Sequence, residues 1–282
     1  MSATEIPSAS AAEIRDRVEV DIGWVADHLD DPSVRIVEVD VAPAAYREGH
    51  IPGAVLWNIY ADLRDSAYVP IDKQQLEQLL RQSGVTDHTT VVFYGYGAHL
   101  GHWLLTSYGH RVVRLLDGPR DQWLAAGAWG KEERTIVPTD VRLAERADRL
   151  YFSRESVLEM LGRTDVVLLD TRSPLEYQGE RFWPSGATEG AGRAGHIPGS
   201  VHLPIDELRS QDGRFLGHGE MERALLDRGV GREQRIVTYC TVGNRASQAW
   251  YALTHLLGYC DVGVYHGSWA EWGTLADTPV EC

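Results

Sequence analysis

Apolar, β-branched runs recur along the chain, and each is followed by a segment whose apolar positions fall at helical spacing. The runs VRIVEVD (34–40) and DVVLLD (165–170) suit buried strands, as do residues 91–94, 236–239, 111–116 and 261–265. The segments IDKQQLEQLLRQSGV (71–85) and GEMERALLDRGV (219–230) place apolar residues three and four apart and end near a glycine, which predicts helices. A further helix is expected after each of the strands at 91–94 and 236–239. Strands alternating with helices predict an α/β fold of βαβ units, each a mostly parallel sheet flanked by helices on both faces.

The pattern occurs twice. GHIPGAV (49–55) returns as GHIPGSV (195–201) and VVFYG (91–95) as IVTYC (236–240). YGH (108–110) matches LGY (257–259), and DGPRDQW (117–123) matches HGSWAEW (266–272). Four anchors in one order at nearly constant offset indicate a tandem duplication. The expected domains are 18–130 and 150–280, joined by a charged, proline-containing linker at 131–149. If Asp40 and Asp170 end equivalent strands, the second half has 16 extra residues before its GHIPG motif. It also gains 4 residues between Tyr239 and the glycine ending the next helix. Both additions follow the C-terminal ends of parallel strands, where open α/β sheets place their ligands.

The net charge of −14 is spread along the chain, which argues against nucleic acid or an anionic membrane as a partner. No apolar run approaches a membrane span, and the N-terminus lacks the pattern of a secretory signal. The 3 cysteines, Cys240, Cys260 and Cys282, have neither disulfide nor metal-like spacing, so a cytoplasmic protein with reduced thiols is expected.

Cys240 stands at a strand end, followed by Thr241, Val242, Gly243, Asn244 and Arg245 and then a helix. Backbone N–H groups in such a turn can form an anion-binding nest, and the helix N-terminus adds partial positive charge. Gly243 permits the turn, and Arg245 can brace the loop or face an anion. These features favour thiolate, the nucleophilic form.

CTVGNR after a strand, with GHIPGS upstream and HGSWAEW downstream, resembles the rhodanese sulfurtransferases in their two-domain form, over roughly residues 20–278. The resemblance implies two tandem rhodanese-like domains, the first inactive and the second catalytic. It implies that Cys240 is the persulfide-forming nucleophile and that residues 241–245 are its cradle. The implied partners are a small anionic sulfur donor such as thiosulfate and a cyanide or thiol acceptor, with no metal or organic cofactor. The Cys-x4-Arg spacing differs from the Cys-x5-Arg of cysteine-dependent phosphatases, which suits a persulfide better than a phosphate. A 3-mercaptopyruvate sulfurtransferase and a non-catalytic persulfide carrier or interaction module are the alternatives, with a cysteine-dependent phosphatase behind them. The first of these resembles a Cys-Gly-Ser-Gly loop that CTVG does not match.

Several other residues invite a role. Asp170 and Arg172 end a strand beside the expected site and can pair or touch substrate. Glu176 stands where thiosulfate-using relatives carry an arginine, so the donor-binding cation falls to Arg181, Arg193 or Arg245. His50 and His196 occur in both GHIPG motifs, one of them in the half without a cysteine, which points to a structural role. His99 and His102 carry no further support for a metal. Gly95 replaces the cysteine in the first half, in a loop that reads as four residues short.

Overall fold

The computed structural model describes residues 17–66, 68–118, 120, 123, 125 and 129–282. The first half contains β1 (Glu19–Val20), α1 (Ile22–Asp27), β2 (Val34–Asp40), α2 (Ala44–Glu48), β3 (Val55–Asn58), α3 (Lys73–Gln82), β4 (Thr90–Tyr94), α4 (Ala98–Ser107) and β5 (Val113–Leu116). The second contains β6 (Tyr151–Phe152), α5 (Arg154–Met160), β7 (Val166–Asp170), α6 (Pro174–Tyr177), β8 (Val201–His202), a 3-10 turn (Ile205–Leu208), α7 (His218–Leu226), β9 (Arg235–Tyr239), α8 (Asn244–Tyr251), β10 (Val262–Tyr265) and α9 (Ser268–Trp272). Each half forms a five-stranded sheet, β1-β5-β4-β2-β3 and β6-β10-β9-β7-β8, and every pairing is parallel. The duplication read from the motifs is thus a duplication of topology.

The expected helices form where local chemistry closes them. Asp72 and Gln75 make a reciprocal capping box at the start of α3, and Gly84 follows its end at φ 71°. Successive residues of β4 feed opposite faces, as a doubly covered sheet requires. Val91 and Phe93 join a large apolar cluster, while Val92 and Tyr94 join a smaller one on the far face of the first sheet. The large cluster crosses into the second half, where Trp103 and Leu104 of α4 share it with Trp250 and Leu253. The two halves therefore pack through the helices that follow their equivalent strands, α4 and α8. The segment 131–147 has no helix or strand, yet Val141 and Leu143 are buried, and the Leu143 N–H donates to Glu77 Oε1 at 3.0 Å. Among the described residues no helix is long and apolar enough to cross a membrane.

Register corrects two sequence expectations. Asp170 pairs with Tyr239, whereas the residue opposite Tyr94 is Glu38, so Glu38 and not Asp40 is the counterpart of Asp170. The insertion is therefore about 14 residues, because β2 itself runs two residues further before its chain turns away. The extra four residues near Cys240 also divide. Three residues separate β4 from α4, and four separate β9 from α8, so the first-half loop is one residue short. The other three lengthen the helix: α8 has 8 residues and continues into a 5-residue π-helical turn (Ala252–Leu256), against 10 residues in α4.

Candidate active site at Cys240

Cys240 leaves β9 nearly enclosed, at 1% exposure. Its N–H donates to Ser268 Oγ at 3.3 Å, and its carbonyl accepts from the Trp269 N–H at 2.9 Å. The Thr241 carbonyl accepts from the Ala270 N–H at 2.9 Å, so α9 holds the strand end from one side. Ser268 sits at φ 53°, a left-handed conformation uncommon outside glycine, and its hydroxyl donates to the Tyr265 carbonyl at 2.9 Å. Gly243 lies at φ +85°, where a side chain is strained, and a Cβ would crowd the His266 ring at 3.0 Å. Among the described residues, the N–H groups of 241 to 246 meet no protein acceptor, and the next one, of Ser247, donates to the Gly243 carbonyl at 2.9 Å. Buried N–H groups are rarely left unpaired. Six in succession at the start of α8, beside a cysteine, are donors that an anion can satisfy.

Arg245 braces this loop. Its Nη1 and Nη2 donate to the two oxygens of Glu176 at 2.7 Å each, and Nη2 also donates to Thr241 Oγ1 at 2.6 Å. The Thr241 hydroxyl donates in turn to Glu176 Oε1 at 2.6 Å. Glu176 lies in α6, where the Ser173 hydroxyl donates to its second oxygen at 2.7 Å. Burial alone would raise the Glu176 carboxyl, but the Arg245, Thr241 and Ser173 contacts outweigh it and hold the group at about 2. Glu176 is therefore the anchor of Arg245, which corrects the expectation that Arg245 could be a free donor-binding cation. Val242 and Asn244 are buried, and both amide atoms of the Asn244 side chain lack a partner among the described residues.

The other candidate residues lie in separate arrangements. Arg172 grips Asp170, with Nη2 to Oδ2 at 2.6 Å, donates to the Gly195 carbonyl at 2.7 Å and stacks on Trp269 at 4.5 Å. Both charged groups are fully buried, so the pair is enclosed at the end of β7. Arg193 donates to the Thr278 carbonyl at 2.7 Å and to Thr278 Oγ1 at 2.5 Å, fastening the insertion to the C-terminal segment. Arg181 is turned to the Pro184 carbonyl at 3.0 Å, within its own loop. His50 and His196 play matching parts: each Nδ1 bonds a carbonyl, of Tyr46 at 2.8 Å and Tyr177 at 2.9 Å, with that tyrosine ring stacked 3.8 Å away. His99 and His102 lie in the interface, where their rings contact Tyr251, at 5.0 Å and 6.2 Å. Burial is the main cause that lowers both imidazoles, His99 to about 3.

Sequence reading missed Arg64. It comes from the first half, in the loop after β3, and is 3% exposed. Its Nη2 donates to the Val242 carbonyl at 2.5 Å and to the His266 carbonyl at 2.8 Å. Tyr60 and Tyr96, also from the first half, lie close enough to couple electrostatically to Cys240 and Arg245, respectively. A signal was present: Leu63-Arg64 and Leu208-Arg209 repeat at an offset of 145, the same as that between β4 and β9.

The model of the rhodanese-like domain matches residues 21–126 and again 153–275. A protein of Mycobacterium tuberculosis named "Putative thiosulfate sulfurtransferase SseA" is 39% identical over 97% of this chain and 93% of its own length. "Sulfur carrier protein TtuD" of Thermus thermophilus is 36% identical over 93% of this chain and 96% of its own. Among solved structures, EanB in complex with ergothioneine covalently linked with a persulfide cysteine superposes with a TM-score of 0.82 at 27% identity, covering 95% of this chain and 70% of that one. Matched in both halves, and along nearly its whole length by relatives named for sulfur transfer, the chain belongs to the rhodanese-like family of sulfurtransferases as a tandem two-domain member.

Proposed function

We propose that the protein moves sulfane sulfur from thiosulfate or a related anionic donor to cyanide or a thiol, through a persulfide on Cys240. The observation that carries this reading is the row of unpaired backbone N–H groups from 241 to 246 beside the buried cysteine. In the first step the Cys240 thiolate attacks the outer sulfur of thiosulfate. A sulfur–sulfur bond forms to Cys240 as the bond within thiosulfate breaks, and sulfite leaves with its electron pair. In the second, the acceptor attacks the outer persulfide sulfur and Cys240 departs as thiolate; cyanide becomes thiocyanate. The charge on sulfur is met in both steps by fixed N–H dipoles that need no rearrangement, the logic of an oxyanion hole. Residues 150–280 form the catalytic domain, and residues 18–130, which have Gly95 in place of a cysteine, an inactive one joined by the linker 131–149.

The engagement of Arg181, Arg193 and Arg245 by other groups supports donor binding through the loop backbone rather than through a dedicated arginine. That economy of contacts fits a small donor such as thiosulfate, with 3-mercaptopyruvate as the alternative. A carrier role, in which the persulfide is passed to a partner protein, is supported by the relative named as a sulfur carrier. Incubation with thiosulfate followed by intact mass measurement tests the reading. The expected result is a gain of ~32 Da, one sulfur, removed by cyanide and absent in Cys240→Ser. No gain from either thiosulfate or 3-mercaptopyruvate would refute it. Steady thiocyanate production separates an enzyme from a carrier that discharges only once.

A further inference from the structure

The loops after β3 and β8 carry the same device in both halves. In each, an arginine forms an antiparallel bridge across its own loop, Arg64 with Pro70 and Arg209 with Phe215. The two arginines then diverge. Arg209 makes its hydrogen bonds within its own domain: Nη2 donates to Gln248 Oε1 at 2.9 Å. Its guanidinium lies 4.4 Å from the Phe215 ring, and the residue lines a cleft with Gly95 and His99 of the first half. Arg64 crosses between domains. One nitrogen, Nη2, holds both Val242 of the cysteine loop and His266 of the turn that leads to Ser268 and Trp269, the residues that fix the Cys240 backbone.

Two physical consequences follow. A trans peptide holds its N–H opposite its carbonyl. With the Val242 carbonyl fastened to Arg64, the N–H of Gly243 faces the other way, where it has no protein acceptor among the described residues. Arg64 is also a buried cation, and among the described residues no carboxylate lies within ion-pair distance of it. Its Nε is buried without a partner. A buried charge without a counterion is unfavourable unless an anion is brought to it. The anions that this site would receive are the Cys240 thiolate, its persulfide and the donor.

We propose that Arg64, supplied by the half that has no cysteine, is a positioning residue for sulfur transfer at Cys240. It holds the Val242 carbonyl outward, keeps the Gly243 N–H turned toward sulfur, and places a fixed positive charge behind the loop. The inference rests on the reading of Cys240 as the persulfide nucleophile. It gives the first domain a part in the reaction and makes the second domain's site incomplete without it.

The test is steady-state thiosulfate:cyanide turnover of the full chain as wild type, Arg64→Met, Arg64→Lys and Arg209→Met, with thermal midpoints for each. Arg64→Met is expected to lose about thirtyfold in kcat while its thiosulfate KM moves less than about threefold, since the loop's geometry matters most as charge develops. Arg64→Lys, which keeps the charge without the fork, should recover part of that loss. Arg209→Met removes the equivalent side chain from the equivalent loop and should stay within about threefold of wild type. If Arg64→Met does not fold, Arg64→Lys against Arg209→Lys gives the same comparison. Arg64→Met within threefold of wild type, or Arg209→Met losing as much as Arg64→Met, reduces Arg64 to packing and overturns the proposal, and so does a loss in Arg64→Lys no larger than that in Arg209→Lys. A wild-type protein that gains no sulfur from thiosulfate or 3-mercaptopyruvate overturns the underlying function as well, a failure that intact mass distinguishes from a defect confined to Arg64 variants.

Discussion

The loop at Gly95 and the loop at Cys240 occupy the same place in two copies of one fold, and they treat their backbone N–H groups in opposite ways. In the first, the Gly97 N–H donates to the Val39 carbonyl at 2.7 Å and the Ala98 N–H to the Gly95 carbonyl at 3.3 Å. In the second, six consecutive N–H groups have no protein acceptor among the described residues. One residue of loop length and one glycine at φ +85° separate a closed turn from an open nest. The supporting charges differ similarly. Both halves use an arginine to join a strand-end carboxylate to the first glycine carbonyl of GHIPG, but Arg172 sits two residues from Asp170 while Arg120 reaches Glu38 from after β5. Only the second half adds a further carboxylate, Glu176, to hold its loop arginine. The difference teaches that two copies of one fold can share scaffold contacts while their equivalent loops differ chiefly in backbone direction.

The largest effect that would break this comparison is expected from Gly243→Ala. A side chain there is strained by φ and would press on His266, so turnover should fall by roughly a hundredfold or more while circular dichroism remains native-like. Near-normal turnover would mean that loop direction does not hold the sulfur. Next is the attempt to restore the first half: in a Cys240→Ser background, Gly95→Cys should take up no sulfur by mass. Gly95 lies at φ +90°, and a Cβ would come 3.1 Å from both the Val39 carbonyl and Glu38. A persulfide at that position would contradict the account of the closed loop.

Smaller and opposite effects are expected from the two buried glutamates. Glu176 titrates below its ordinary 4.5, at about 2, so its ionisation stabilises the fold fully above 4.5 and that contribution is lost as pH falls through about 2. The shift corresponds to about 3 kcal/mol. Glu176→Gln should therefore lower the thermal midpoint at pH 7 and release Arg245, with activity down about tenfold. Its gap from wild type should close as the pH is taken down through that window. Glu38 has the opposite sign: burial raises its carboxyl, despite hydrogen bonds from Tyr94 and Arg120, so its contribution is fully present below the ordinary value and fades as pH rises through the raised one. Glu38→Gln should change the midpoint at pH 7 less than Glu176→Gln does. Equal losses would erase the electrostatic contrast between the halves.

Much of this was legible in the sequence, because strands, helices and turns leave local patterns. The duplication, the parallel βαβ order and the cysteine loop all follow from motif spacing and periodicity. What failed was whatever depends on register or on contacts between distant segments. Asp40 looks like the partner of Asp170 until strand pairing selects Glu38. The extra residues after Tyr239 look like loop until a π-helical turn takes up three of them. Glu176 reads as a lost substrate arginine, yet it is the carboxylate that Arg245 requires, a pairing 69 residues apart. Arg64 meets Val242 across 178 residues and a domain boundary, so only the repeated Leu-Arg pair could have pointed to it.

The central claim is that backbone N–H groups of residues 241–246 receive the sulfur anion on Cys240. Backbone amide NMR of the protein before and after loading with thiosulfate tests it directly. The account predicts that several of these six amide protons move downfield on persulfide formation and return on adding cyanide, while the amides of Gly95, Gly97 and Ala98 stay in place. A loaded protein in which the 241–246 amides do not move would contradict it.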